Sequence, residues 1–465
     1  MSITGKADST IDETGRREQK MKENELEKDW MGTMKVSSAV AKMAIPSVIS
    51  SLVTVLYNMA DTFFVGQTGD ALQVAAVSLT NPIFILFMAF ANMFGMGGSA
   101  AASMALGQKN ERRVRQVSSF VTYASLIVGV FFAVVLLVFT GPILSLFGAD
   151  AQTYEYARGY TIYVAVGAPF IIWSAAASFV VRAEGASREA MIGSMIGTIA
   201  NIVLDPLFIS GFGMGAAGAA IATTIGNVMA SAYYLWYFLR KSVSMSLSPR
   251  DFNCGDGILK GVCSTGLPTA IFSALMSVST IVLNQILVAY GNDPVAAIGI
   301  VFKANMFITF LQMGLANGVQ PLLGYSYGAG STARFREVES FTKKCCVVVG
   351  VAATVLFFVA REPIIRLFIS DSDVVRYGVE MLVAYMVSGP FIGILFVNMN
   401  CMQSVEHALP ATILSVMRQG VLLIPLLYLL QAVAGLNGVI YGQAITDYIA
   451  VLLSIIIWRK IRKSL

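Results

Sequence analysis

Apolar residues in this chain run in long blocks with no two-residue alternation, separated by short polar connections, which is the pattern of helices that cross a bilayer. The blocks fall at 41–65, 75–106, 117–139, 160–180, 190–209 and 216–239, and again at 268–290, 295–325, 347–359, 374–402, 411–430 and 436–458. The second six repeat the first. Ala75 and Ala76 match Ala296 and Ala297, Gly97 matches Gly318, Gly107 matches Gly328, and Arg113, Arg115 and Val117 match Arg334, Arg336 and Val338, all at an offset of 221 residues. The register survives a whole apolar block, so that residues 142–147 (PILSLF) match 363–368 (PIIRLF) and Pro169 with Phe170 matches Pro390 with Phe391. The expected fold is an all-α membrane protein, twelve transmembrane helices in two pseudo-symmetric six-helix bundles. Duplicated halves of this kind build a binding site at their seam and rock about it in many secondary transporters.

Composition agrees: hydrophobic residues make up 56% of the chain and charged ones 13%, too few charges for a water-facing surface of about 25–35%. The expected division is a disordered cytoplasmic tail at 1–35, an N-lobe at 36–240, a cytoplasmic linker at 241–260 and a C-lobe at 261–465. Lysine and arginine cluster in every second connection (Lys109, Arg112, Arg113 and Arg115; Arg240, Lys241, Arg250 and Lys260; Arg334, Arg336, Lys343 and Lys344) and in the C-terminal segment. The alternate connections 66–71, 210–215, 291–294 and 431–435 carry none, so both termini are expected in the cytoplasm of a bacterial cell, with the chain in its plasma membrane. The five cysteines (Cys254, Cys263, Cys345, Cys346 and Cys401) then lie at or near the reducing side, and their spacing fits neither a metal site nor a disulfide framework.

A carboxylate inside hydrocarbon costs about 2.5–3.5 kcal/mol even on the lenient insertion scale, so Asp61 in the first block and Asp205 in the fifth need a reason. Both fall four or five residues before the outer end, roughly 7 Å in at 1.5 Å per residue. Asn201 lies one turn before Asp205 on the same helix face, and Pro206 removes an amide hydrogen from that turn. Burial raises an aspartate's affinity for protons while nearby donors or cations lower it, so such a pair can exchange H⁺ or Na⁺, with Asp61, Asn201 and Asp205 as candidate Na⁺ ligands. The seventh block has no carboxylate, which places coupling in the first half. Lys303, Arg418 and Asp447 are charges within later blocks, and Lys303 or Arg418 paired with Asp447 would neutralise charge as a structural pair. Tyr57, Phe170, Met276, Met306, Met313 and Asn284 are candidates to line a cavity for bulky cations, since π faces attract positive charge and thioethers adapt in shape.

Other chemistries find little support. Gly213, Gly215 and Gly218 spell a dinucleotide-type motif, but they join two membrane blocks and read as a turn with a close-packing face. No phosphate-binding loop of the ATPase type is present, and the single histidine, His407, falls in a short loop, which removes most metal and hydrolase arrangements. No cofactor and no nucleic acid are expected.

The segments at 45–66 (IPSVISSLVTVLYNMADTFFVG), 181–209 (VRAEGASREAMIGSMIGTIANIVLDPLFI), 215–226 (GAAGAAIATTIG) and 318–329 (GVQPLLGYSYGA) together resemble the multidrug and toxic compound extrusion (MATE) family, from Lys35 to Trp458. That resemblance implies export of small organic cations in exchange for H⁺ or Na⁺ by a single copy of the chain among membrane lipids. It places ion-coupling roles on Asp61, Asn201 and Asp205 and a supporting hydroxyl on Thr223. A branch of the family uses a glutamate a few residues after the proline of the seventh span; this chain has Met276 there, so that mechanism is not carried over. A sister family that moves lipid-linked sugars, and an intramembrane enzyme, are the competing expectations.

Overall fold

The computed structural model describes residues 30–66, 71–369 and 371–464, less the side chains of 61–63, 65, 66, 71 and 292. The principal helices are α1 (Val36–Gly66), α2 (Ala71–Gly107), α3 (Glu111–Val138), α4 (Tyr154–Ala183), α5 (Ser187–Pro206), α6 (Gly215–Arg240), α7 (Ile258–Val288), α8 (Asn292–Gly328), α9 (Thr332–Val359), α10 (Ser372–Val387), α11 (Gly389–Ser404), α12 (Ala408–Val416) and α13 (Leu423–Arg462). By length and apolarity nine stretches among the described residues can cross a membrane, or ten when α10 and α11, bent by 47°, count as one span. The last of the nine is 55 residues long, about 80 Å against a hydrocarbon core of about 30 Å. Gly435, at φ 60° and ψ −137°, divides it into two legs. The expected blocks therefore fall on helices or helix legs, except that 374–402 is divided between α10 and α11 and 411–430 runs from α12 into the first leg of α13. α6 is not among the nine; it is rich in buried small residues (Gly215, Ala216, Gly218, Ala219, Ala220, Ala222, Thr223 and Gly226) that let neighbouring backbones approach.

The ninth helix corrects the sequence expectation, because it starts at Thr332 rather than 347. Its first half is polar for a reason: Glu339, 1% exposed, accepts from Lys343 Nζ at 2.5 Å and from Trp458 Nε1 at 2.6 Å, with Arg462 at 3.5 Å. These contacts tie α9 to the end of α13. Lipid-facing positions behave oppositely, with Val130, Phe131, Val134 and Val138 of α3 all more than half exposed, as expected where the surrounding solvent is hydrocarbon.

Of the expected tail, residues 1–29 lie outside the described residues. Trp30–Thr33 form a helical turn with Met31 buried, and Arg334 donates to the carbonyls of Met31 and Met34, both at 2.7 Å. The linker is a docked strap. Glu184 Oε1 accepts from Ser242 Oγ, Val243 N and Ser244 N at 2.8–3.0 Å. Further on, Ser119 and Tyr123 donate to the carbonyls of Ser248 and Leu247, Phe252 stacks on Phe120, and Arg113 reaches the Asp256 carbonyl.

The lobes meet on small residues at the end that bears the basic connections. A Cβ on Gly107 would lie 2.2 Å from the Tyr325 carbonyl oxygen, and one on Gly328 would lie 2.0 Å from that of Met104. These two contacts are the same contact seen from each half, since 107 and 328, like 104 and 325, differ by the repeat offset. Ser99 Oγ donates to Gln320 Oε1 at 2.9 Å across the same separation of 221, so the pseudo-twofold axis passes beside that bond. Gly97 and Gly266 press on Val262 and Met93, while Gly318 and Gly314 press on Ser47 and Val48.

Backbone-to-backbone contact leaves no room for a side chain. In a background without the native cysteines, Ser99→Cys/Gln320→Cys is expected to form a disulfide on mild oxidation, and adding Gly328→Val is expected to suppress it several-fold; equal yield on a gel would show that the seam tolerates the added bulk.

Candidate functional site

Asp205 sits in the last turn of α5, 0% exposed, with Asn201 one turn earlier at 3% and Thr223 of α6 at 5%. With its amide nitrogen facing the carboxylate, Asn201 donates to Asp205 Oδ2 at 3.0 Å, and its oxygen accepts from Thr223 Oγ1 at 3.1 Å and Thr223 N at 2.9 Å. The chain of bonds continues. Asn227 Nδ2 donates to the Thr223 carbonyl at 2.8 Å, and Ser174 Oγ of α4 donates to Asn227 Oδ1 at 3.0 Å. The fully buried carboxylate is thus held by Asn201 and linked through it to polar groups on two further helices, a connected network that lowers the desolvation penalty of a buried charge.

Local sequence explains the position. Pro206 cannot donate to the helix ladder, and directly after it Leu207–Gly211 forms a π-helical turn, with Phe212 N bonding to the Leu207 carbonyl at 2.9 Å. A Cβ on Gly218 would lie 2.7 Å from the Phe208 carbonyl oxygen, so α6 packs directly against that turn. Asn201, Asp205 and Thr223 are brought together. α1, which carries Asp61, packs against α5; the Asp61 side chain lies outside the described residues.

The C-lobe has a polar centre of its own. Of the two anticipated pairings, the structure forms Arg418 with Asp447, at 2.8 Å between Nε and Oδ1, the two side chains being 7% and 6% exposed. Asp447 also accepts from Gln443 Nε2 and Ser388 Oγ, both at 3.0 Å. The Arg418 guanidinium lies over Phe272 at 5.2 Å and Phe396 at 5.6 Å, and its residue belongs to a second π-helical turn, Met417–Leu422. Lys303 stands half-buried on α8 with no ion pair to a described residue.

This pair lines a cavity of about 280 Å³ within the C-lobe, together with Met276 and Met306. The other cavity candidates stand elsewhere. Met313 packs into the core shared by α1 and the C-lobe, Phe170 is 37% exposed on α4, and Tyr57 and Asn284 are half-buried on α1 and α7; none of the four lines the C-lobe cavity. Sequence reasoning missed Gln443, Ser388 and Asn227. A signal for two of them exists: counted from Gly215 and Gly435, both at positive φ, Thr223 matches Gln443 and Asn227 matches Asp447.

Comparison with known proteins places this architecture. The MatE family model matches residues 46–207 and 268–429, one copy in each lobe. The chain is 33% identical over 430 residues to the multidrug export protein MepA of Staphylococcus saprophyticus, covering 92% of this chain and 95% of that one. The protein of the same name from Staphylococcus aureus strain MSSA476 is 31% identical with the same coverage. Among solved structures, an outward-facing multidrug resistance MATE family transporter of the MOP superfamily superposes with a TM-score of 0.88 at 24% identity, over 92% of this chain and 96% of that one. A MATE crystal structure in complex with MaL6 superposes at 0.89, also at 24% identity, over 94% and 98%. Two matched family repeats, one per bundle, and relatives spanning nearly the whole length lead to one conclusion: the chain belongs to the MatE family of multi-pass membrane transporters, a family of transporters rather than enzymes.

Proposed function

We propose that this protein is a secondary active multidrug exporter that moves organic cations out of a bacterial cell in exchange for H⁺ or Na⁺ entering through Asp61, Asn201, Asp205 and Thr223. The observation that carries the reading is the fully buried Asp205 carboxylate held by Asn201, which is itself held by Thr223. The relatives' name, multidrug export protein, supports the cargo class.

The amide gives the coupling a physical form. While Asp205 is ionised, Asn201 must offer it an N–H. Turned over, the amide oxygen would face the carboxylate oxygen at the same 3.0 Å and the amide nitrogen would face the Thr223 N–H. Two facing acceptors are settled only by a proton or a metal cation between them. Ion entry removes the negative charge that Asn201 holds and so changes the strength of the link from α5 through Asn201 to Thr223 of α6, and a ligand that changes such contacts shifts the balance between two lobe arrangements. With the basic connections inside, the glycine seam is the inner gate, closed here, and the lobes alternate by parting it. A one-for-one exchange of monovalent cations moves no net charge and is driven by the ion's concentration gradient, whereas a second ion adds one net charge, about 2.3 kcal/mol per 100 mV or about fiftyfold in cation concentration.

Cells expressing Asp205→Asn are expected to accumulate ethidium as empty cells do, with normal amounts of protein in the membrane; undiminished extrusion would remove Asp205 from the mechanism. In proteoliposomes, imposing an inward H⁺ gradient and an inward Na⁺ gradient separately is expected to drive dye movement with one of them and to fail with Thr223→Val at least tenfold; movement with no gradient at all would point to a facilitator instead.

A further inference from the structure

The two polar centres share a frame but differ in what they lack. On the last helix of each lobe the polar residues stand eight and twelve positions past the positive-φ glycine: Thr223 and Asn227 after Gly215, Gln443 and Asp447 after Gly435. The helix facing them supplies a carboxylate, Asp205, in the N-lobe and a guanidinium, Arg418, in the C-lobe. Donors and acceptors balance differently as a result. Asp447 already receives three donors, from Arg418, Gln443 and Ser388. Arg418 carries five N–H donors, of which Nε alone is bonded to a described group. Its Nη1 is buried and meets no described acceptor. The residue is 6% exposed and lines the cavity.

The strongest unused group in the cavity is therefore the Arg418 guanidinium, a charged donor with a buried N–H that meets no described acceptor. The Arg418 and Asp447 charges already balance, so a cation or an anion entering the cavity would leave a net charge in low dielectric. Its walls are mainly apolar and aromatic, with Phe272, Met276, Phe302 and Tyr385, and carry the neutral polar groups of Asn305 and Thr309 beside them. At about 280 Å³ it is near the small end of ligand cavities, which run from about 300 to 1,000 Å³.

We propose that the C-lobe cavity is a second cargo site, which takes small uncharged aromatic compounds by an acceptor oxygen presented to Arg418. The inference deepens the exporter reading and rests on it for the word cargo, while the site itself is tested without transport. The guest lies between the aromatic walls, and its carbonyl accepts from the free guanidinium N–H groups. Because a hydrogen bond to a charged donor is strong where water is absent, a matched compound without the oxygen is discriminated against by about tenfold or more.

The test uses the purified full chain in lipid nanodiscs with no ion gradient, and tritiated 9-fluorenone, fluorene and tetraphenylphosphonium as probes. Fluorenone is expected to bind saturably at one per chain, fluorene at least tenfold more weakly, and tetraphenylphosphonium to leave bound fluorenone in place. The double variant Arg418→Met/Asp447→Leu, which removes both charges together and leaves neither unpaired, is expected to bind fluorenone and fluorene alike. Thr309→Phe, which fills the cavity from α8 without touching the pair, is expected to abolish saturable binding and covers the case in which the double variant does not fold. Equal binding of the two tricycles by the unaltered protein, a preference for fluorenone that survives the double variant, or binding untouched by Thr309→Phe would each overturn the proposal. Failure here overturns the C-lobe site alone, whereas retained ethidium export by Asp205→Asn overturns the coupling site alone.

Discussion

Hydrocarbon offers no hydrogen bonds, and that single constraint organises this molecule. Every backbone group must be satisfied within its own helix, and each polar side chain must find its partner within the bundle. Serine and threonine hydroxyls do so by donating to the carbonyl one turn back, as Ser50, Thr54, Thr122, Ser125 and Thr446 do. Buried ionisable groups draw on longer networks of partners. Asp205 and Asp447 are therefore both found where two or three helices converge, and each is reached by an amide one turn away on its own helix, Asn201 for the first and Gln443 for the second. The same pressure selects glycine and serine at the seam, where packing rather than water exclusion must hold the lobes together.

Duplication supplied one frame, and divergence changed its chemistry. The seam kept its symmetry, down to the Ser99 and Gln320 bond between equivalent positions. The interiors did not keep theirs. In the N-lobe, Gly197 and Gly226 let α5 and α6 touch backbone to backbone, while in the C-lobe a guanidinium and a carboxylate stand between the corresponding helices. Close contact on one side and an ion pair on the other give the lobes different interiors within the same outline.

Much of this was legible in the sequence. Block lengths located the helices, the repeat located the lobes, and the four-residue spacing put Asn201 and Asp205 on one face. Thr223 was reached through the family resemblance alone, because a hydroxyl in an apolar helix carries no signal of its partner. Which cation would meet Asp447 was not legible either, since Lys303 and Arg418 differ only in how their helices are rotated, and periodicity within one helix does not fix its rotation against another. The two π-helical turns left no compositional trace beyond Pro206. The start of α9 was hidden for a plainer reason: hydropathy reports lipid contact, and the helix begins where Glu339 and Lys343 face protein and water.

The docked strap after α6 has a mechanical consequence. Glu184, Ser118, Ser119, Tyr123 and Arg113 hold residues 242–256 against the N-lobe, so the free tether between the bundles is far shorter than the sequence interval suggests. It shrinks to the neighbourhood of Asp256 and Gly257, two adjacent residues at positive φ, immediately before α7. Covalent leverage between the two bodies is thereby confined to one pivot, and motion of either lobe is transmitted to the other through α7 rather than absorbed as slack.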